Sequence, residues 1–237
     1  GGAEVSSGGV EAQKANRQLE ESRGFQALID RALMSYERLP MLEIVFDRLG
    51  RLLSTSLRNL TAENVDVDIK GIFSLRFGDY MQSVPMPTLL GIFKVIEWEN
   101  FGLVVPNVEF IFSMVDLLFG GRKHTMARVA NRPFTMIEQA VVRQLMNIIL
   151  NDLAGAFEPI SPANFQLDRM ENNPRFVTIC RPGDAAILVE LSINMEGRGG
   201  KVEVLLPYET LEPIRELLAQ VYMGEKFGKD PAWEGHL

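Results

Sequence analysis

The run Leu103-Val104-Val105-Pro106 returns in the second half of the chain as Val204-Leu205-Leu206-Pro207. Each copy ends a stretch with strand-like composition, and each leads into an apolar helical pattern. The order before it also recurs: a long amphipathic helix, then several strands, then the strand that ends in proline. A repeat of this kind constrains architecture more than any local propensity, because a unit that cannot bury its own apolar face must share a core with its copy. Two copies imply a pseudo-twofold α/β domain, whose strands share a mainly antiparallel sheet flanked by long helices.

The first copy reads as residues 41–121. Pro40 suits a helix start, and Leu42, Phe46, Leu49, Leu53, Leu57 and Leu60 form one apolar stripe over about two dozen residues. Val65, Val67 and Ile69 alternate with Asp66, Asp68 and Lys70, which predicts a half-buried strand; Phe73, Leu75 and Phe77 repeat the alternation. Strands are expected at 89–98 and 102–105. Residues 108–119 are apolar nearly all round and read as a buried helix stopped by Gly120 and Gly121. The second copy reads as residues 134–224. It has a long helix over 135–157, strands at 165–167, 176–180, 185–195 and 201–206, and a closing helix carrying Leu211, Ile214, Leu217, Leu218 and Val221. Alternation is cleanest through Ile187, Val189, Leu191, Ile193 and Met195.

Three segments lie outside the repeat. Residues 1–24 are rich in Gly, Ser, Glu and Gln and read as a flexible linker, since they hold too little apolar surface to offset their ordering entropy. Residues 25–40 read as an amphipathic helix or arm, with Phe25, Leu28, Ile29, Leu33 and Tyr36 at helical spacing. Residues 225–237 read as a connector.

Charge and composition exclude several functions. The chain has 237 residues, with 24 Lys and Arg against 31 Asp and Glu, a net charge of −7. Nucleic-acid binders carry a basic excess, so no nucleic-acid partner is expected. Its longest apolar run falls far short of the about 20 residues that a membrane span needs, so no direct membrane insertion is expected. A single cysteine, Cys180, precludes an intrachain disulfide and fits a reducing, cytoplasmic compartment. The two histidines, His124 and His236, are far apart and suggest no metal site. No cofactor motif is present.

Candidate chemistry is sparse. Glu43 and Glu138 sit at comparable places on the two long helices and could form a pair of catalytic carboxylates. Thr135-Met136-Ile137-Glu138 fits a capping box better, and Glu43 lies in a first turn, where negative charge suits the helix dipole. Gly120 and Gly121 fit a C-cap. The basic run that follows them, Arg122, Lys123 and His124, would make a positive tip on an acidic chain, and a glycine-hinged tip suits partner binding. Ser54, Ser56 and Ser192 have no plausible histidine base. Cys180 falls in an apolar strand pattern and reads as an inert buried thiol, and Trp98 and Trp233 read as packing residues. No active site assembles, so an interaction module is the expectation.

Several stretches together resemble the middle domain of the FliM family of flagellar motor switch proteins. They are Tyr36-Glu37-Arg38-Leu39-Pro40, Leu42-Glu43-Ile44, Val115-Asp116-Leu117-Leu118-Phe119-Gly120-Gly121, Phe134-Thr135 with Glu138-Gln139, and Leu206-Pro207-Tyr208 with Leu211-Glu212-Pro213-Ile214-Arg215-Glu216-Leu217-Leu218. Asp230-Pro231-Ala232-Trp233 looks like the start of the family's next connector. The resemblance implies a pseudo-symmetric α/β/α fold like that of the CheC chemotaxis phosphatases. It further implies a non-catalytic adaptor in the cytoplasmic C-ring at the flagellar basal body. FliG and neighbouring FliM subunits would be its partners. FliN and phosphorylated CheY would be reached through other parts of the full protein. The family's glycine-rich FliG-binding loop maps onto Gly120, Gly121, Arg122, Lys123 and His124, with Lys123 and His124 standing where further glycines are expected. The enzymatic alternative is a CheC-type phosphatase of phosphorylated CheY. It would need an Asn three residues after each Glu, where this chain has Phe46 and Val141.

Overall fold

The computed structural model describes residues 39–120 and 132–220. The expected linker, most of the arm and the connector lie outside them. Helix α1 (Met41–Thr61) follows Pro40, and Leu42, Phe46, Leu49, Leu53 and Leu57 are its buried stripe.

Six strands follow: β1 (Asp66–Arg76), β2 (Leu90–Val95), β3 (Asn100–Pro106), β4 (Phe165–Glu171), β5 (Ala185–Met195) and β6 (Arg198–Pro207). They form one sheet in the order β1-β5-β6-β3-β2-β4, with every neighbouring pair antiparallel. Exchanging the halves, β1 for β4, β2 for β5 and β3 for β6, returns the same order read from the other edge. The centre obeys the same symmetry. Leu103 lies opposite Leu205 and Val104 opposite Val204. Leu103 corresponds to Val204 in the repeat and Val104 to Leu205, so each pair is the image of the other, and the pseudo-twofold axis passes between them.

The long helices share one face of the sheet. Helices α1, α3 (Val108–Phe119) and α4 (Met136–Phe157) close the main core over Val104, Val189, Leu191, Val202 and Leu206. Helices α1 and α4 run antiparallel: Phe46 meets Phe157 edge-on at 6.5 Å, and Ser56 meets Asp152. The opposite face carries a smaller core of Leu90, Ile92, Leu103, Leu188 and Leu205. It is covered by the short α2 (Phe77–Ser83), through Phe77 and Tyr80, and by the 180 region of the chain.

Some expected elements differ. The two runs of alternation at 65–77 are one strand, joined by a bulge between Ile69 and Gly71. The extra residue reverses the pleat: Val67 and Ile69 pack on the helix-side core, Leu75 on the opposite one. Phe77 does not end that strand; it opens α2, where its N–H and that of Gly78 bond to Asp184 O and Pro182 O. The strand expected at 176–180 does not form. Pro174 and Pro182 bracket that run and supply no N–H for a ladder. It makes a short 3-10 turn (Pro174–Phe176), then crosses the second face with Val177 buried. The closing helix is interrupted. A short α5 (Tyr208–Leu211) gives way at Pro213 to a 3-10 turn (Glu212–Ile214) before α6 (Arg215–Leu218).

Candidate partner-binding site

Of the five residues expected to bind a partner, Gly120 is described; Gly121, Arg122, Lys123 and His124 lie outside the described residues. The site is therefore built from the anchors on either side.

Helix α3 supplies the first anchor. Asn107 caps it, its Oδ1 accepting from the N–H groups of Phe110 and Lys201, each at 3.0 Å. One turn on, Ser113 Oγ donates to Gly199 O and accepts from Gly199 N–H, both at 3.0 Å. These bonds pin α3 to the β5–β6 hairpin. The helix ends at Gly120, which has φ 71° and whose N–H bonds to Asp116 O. A Cβ there would meet nothing within 4 Å, so the backbone conformation, not space, calls for glycine.

The second anchor is the entry to α4. The expected capping box is present: Thr135 Oγ1 accepts from Glu138 N–H at 3.3 Å, and Glu138 Oε2 accepts from Thr135 N–H at 2.7 Å. Arg132, which no sequence motif singles out, adds to the box. Its guanidinium donates to both carboxylate oxygens of Glu138, at 2.9 and 2.6 Å, and lies 5.8 Å from the Phe112 ring centre. The Arg132 bonds, with help from Thr135, hold the Glu138 carboxyl below its ordinary range against the opposing effect of burial. Phe134 stacks on Phe112 at 6.1 Å. Both anchors thus bear on α3, and the intervening segment begins and ends on one rigid base.

That base carries apolar surface that the sequence reading missed. The stretch 108–119 is buried only in its first half. Val115, Leu117 and Leu118 are half-buried, and Phe119 is 64% exposed. On the other side, Met136 and Ile137 are 86% and 61% exposed in the first turn of α4. The signal was there in the three apolar residues flanking a polar segment, but the all-round apolar character of 108–119 placed Phe119 in a buried helix. A cleft of about 550 Å³ opens beside Arg132, walled by Met86, Leu89, Phe134, Met170 and Glu171.

Three residues after Glu43 stands the fully buried Phe46, and three after Glu138 stands the buried Val141. Trp98 packs edge-on against Phe157 and Phe165, at 5.2 and 5.4 Å. Cys180 is half-buried and outside any strand; burial, with Asp184 and Glu209 nearby, pushes its thiol up to about 12, which keeps it protonated. Tyr80 donates to Glu203 at 2.6 Å, while Lys201 bridges Glu203 and Glu190, so these charges satisfy one another. Among the described residues, no group of three or more His, Cys, Asp or Glu could hold a metal ion. Among them too, no helix is long and apolar enough to cross a membrane.

Comparison with known proteins extends this picture. The family profile described as "Flagellar motor switch protein FliM" matches residues 35–223. The chain is 55% identical over 219 residues to the flagellar motor switch protein FliM of Caulobacter vibrioides strain NA1000, covering 92% of this chain and 59% of that protein. It is 30% identical over 197 residues to FliM of Pseudomonas aeruginosa, covering 83% of this chain and 60% of that protein. It thus spans about three fifths of the length of the curated relatives it matches. Among solved structures, the FliM middle domain of Vibrio alginolyticus superposes with a TM-score of 0.68 at 29% identity, covering 75% of this chain and 99% of that one. A chain from a FliG-FliM complex of H. pylori shares the fold, with a TM-score of 0.67 at 21% identity, covering 85% and 98%.

Proposed function

Since the chain belongs to the FliM family of flagellar motor switch proteins, we propose that it is a non-catalytic adaptor of the switch complex. It binds FliG and neighbouring FliM subunits at the cytoplasmic face of the basal body, and it couples chemotaxis signalling to the direction or state of rotation. The observation that carries this reading is the family match across both repeats, residues 35–223. FliN and phosphorylated CheY act on it through other parts of the full protein. The relative from H. pylori that was solved as a FliG-FliM complex supports FliG as a partner.

The site supports an adaptor over an enzyme. Phe46 and Val141 have no group with which to orient a water, and the Glu138 carboxylate is already bonded to Arg132 and Thr135. The contact with FliG runs through Gly120, Gly121, Arg122, Lys123 and His124, flanked by the exposed Phe119, Met136 and Ile137. Basic side chains supply attraction and the apolar flanks supply buried area. Switching then requires a two-state orientation and a few kcal/mol of differential binding between the states.

Calorimetric titration of this chain with purified FliG, at low and high salt, tests the reading. Saturable binding is expected, weakened by salt through screening, and weakened at least about tenfold by Arg122→Glu with Lys123→Glu. Saturable binding that neither salt nor the double variant changes would remove the charged segment from the contact. No binding by a folded chain would overturn the FliG assignment.

A further inference from the structure

The cleft beside Arg132 plays no part in the proposed FliG contact. Three pieces of chain, drawn from both repeats, build it. Strands β2 and β4 are paired as far as Leu90 and Glu171. Beyond that pair, Met86, Pro87, Thr88 and Leu89 form one wall and Met170 and Asn173 another; Arg132 and Phe134, on the way into α4, form the third. The volume of about 550 Å³ lies within the range of small-molecule sites.

The lining divides by chemistry. Met86, Pro87, Leu89 and Met170 are aliphatic, and Phe134, the aromatic residue in the wall, already stacks on Phe112. Methionine side chains adapt to the shape of what they cover, so this wall suits a flexible aliphatic chain. The polar groups left over are donors. Thr88 is only 5% exposed, and among the described residues its hydroxyl has no hydrogen-bond partner. A buried hydroxyl without a partner is costly, so it marks a place where something else supplies the bond. Arg132 commits three of its five N–H groups, two to Glu138 and one to Pro133 O, and keeps two. Asn173 Oδ1 is taken by the Arg175 N–H, which leaves its amide N–H groups. The nearby carboxylates are engaged: Glu138 by Arg132 and Thr135, Glu171 by Arg169. Unused N–H and O–H groups beside paired carboxylates select an acceptor head group over a cationic one.

We propose that the cleft binds an aliphatic monocarboxylic acid of medium chain length, with the chain between Met86 and Met170 and the carboxylate on the Thr88 hydroxyl and the Arg132 guanidinium. Affinity then comes from two sources, the length of chain buried and the charge-assisted bonds at its head.

Methyl NMR on the full chain, labelled at methionine, tests the site with octanoate, butyrate and octylamine as probes. Octanoate should shift the Met86 and Met170 methyl signals, assigned with Met86→Leu and Met170→Leu, along a saturable curve. Butyrate should bind at least about tenfold more weakly, because it buries less chain. Octylamine, a cation of the same length as octanoate, should also bind at least about tenfold more weakly. Thr88→Val keeps the shape and removes the hydroxyl, and should weaken octanoate about tenfold. Arg132→Lys keeps the charge without the planar fork, and should weaken it as well. An absent or unsaturable shift, or shifts spread over other methionines, would overturn the site. Equal binding of octanoate and octylamine would overturn the carboxylate, and octanoate affinity unchanged in both variants would overturn the roles of Thr88 and Arg132. The comparison of the three probes needs no substitution, so it decides the proposal even where a variant fails to fold.

Discussion

Ser56 donates a 3.0 Å hydrogen bond to Asp152 across the seam between the two long helices, and the second carboxylate oxygen of Asp152 is buried with no partner. Burial raises the Asp152 carboxyl above its ordinary value, and the Ser56 bond offsets only part of this. A raised folded pKa means that protonation favours the fold. The stability is present in acid, below the unfolded value, and is lost as pH rises through the folded one. Asp152→Asn should therefore stabilise the fold at pH 7 by on the order of 1 kcal/mol, seen as a higher urea midpoint. Its advantage over the parent should vanish as pH falls through the raised value. Urea melts across that range check both the sign and the trend.

Arg132 and Glu138 should show the opposite pH behaviour. The folded Glu138 carboxyl is held low, first by Arg132. Its contribution is present above the unfolded value of about 4.3 and lost as pH falls through the folded one. Glu138→Ala removes both the ion pair and half of the capping box, and should cost about 1–2 kcal/mol at pH 7. The deficit should shrink below pH 4 or so, as thermal melts at several pH values will show.

Gly120→Ala should cost about 1 kcal/mol of stability through its positive φ alone, because the space around it is open. Gly120→Asn should cost less, since Asn tolerates the left-handed region. If both variants melt with the parent, the helix ends without the left-handed cap.

Ser113→Ala should cost about 1–3 kcal/mol, because it strips the partner from both the N–H and the C=O of Gly199. Amide exchange at Gly199 and in α3 should speed up together, because this side chain ties them.

Much of the fold is legible in the sequence because its signals are local. The α3 span follows from an apolar run stopped by glycine, the start of α4 from its capping box, and the Ala185–Met195 strand from unbroken alternation. What escapes needs a third dimension. The bulge that merges two runs into β1 is set by pairing with Leu191 and Glu190 on β5. The missing strand at 176–180 is an apolar run that packs across the second face of the sheet instead of joining a ladder, with Val177 buried. Arg132 looks like any loop residue until the turn into α4 brings it to Glu138. The exposure of Phe119 and Met136 depends on where α3 and α4 leave the core, which periodicity does not report.

The strand order has a mechanical consequence. Each repeat lends its outermost strand to the other: β1 is held by β5, and β4 by β2. The chain is laced like two interlocked clasps, so neither half swings against the other without tearing a full ladder. Load entering at the end of α3 passes through the Asn107 and Ser113 bonds into the β5–β6 hairpin. From there it spreads to both margins of the sheet. Such a body tilts as one piece, so in the proposed switch assembly any angular change would fall on the joints outside it.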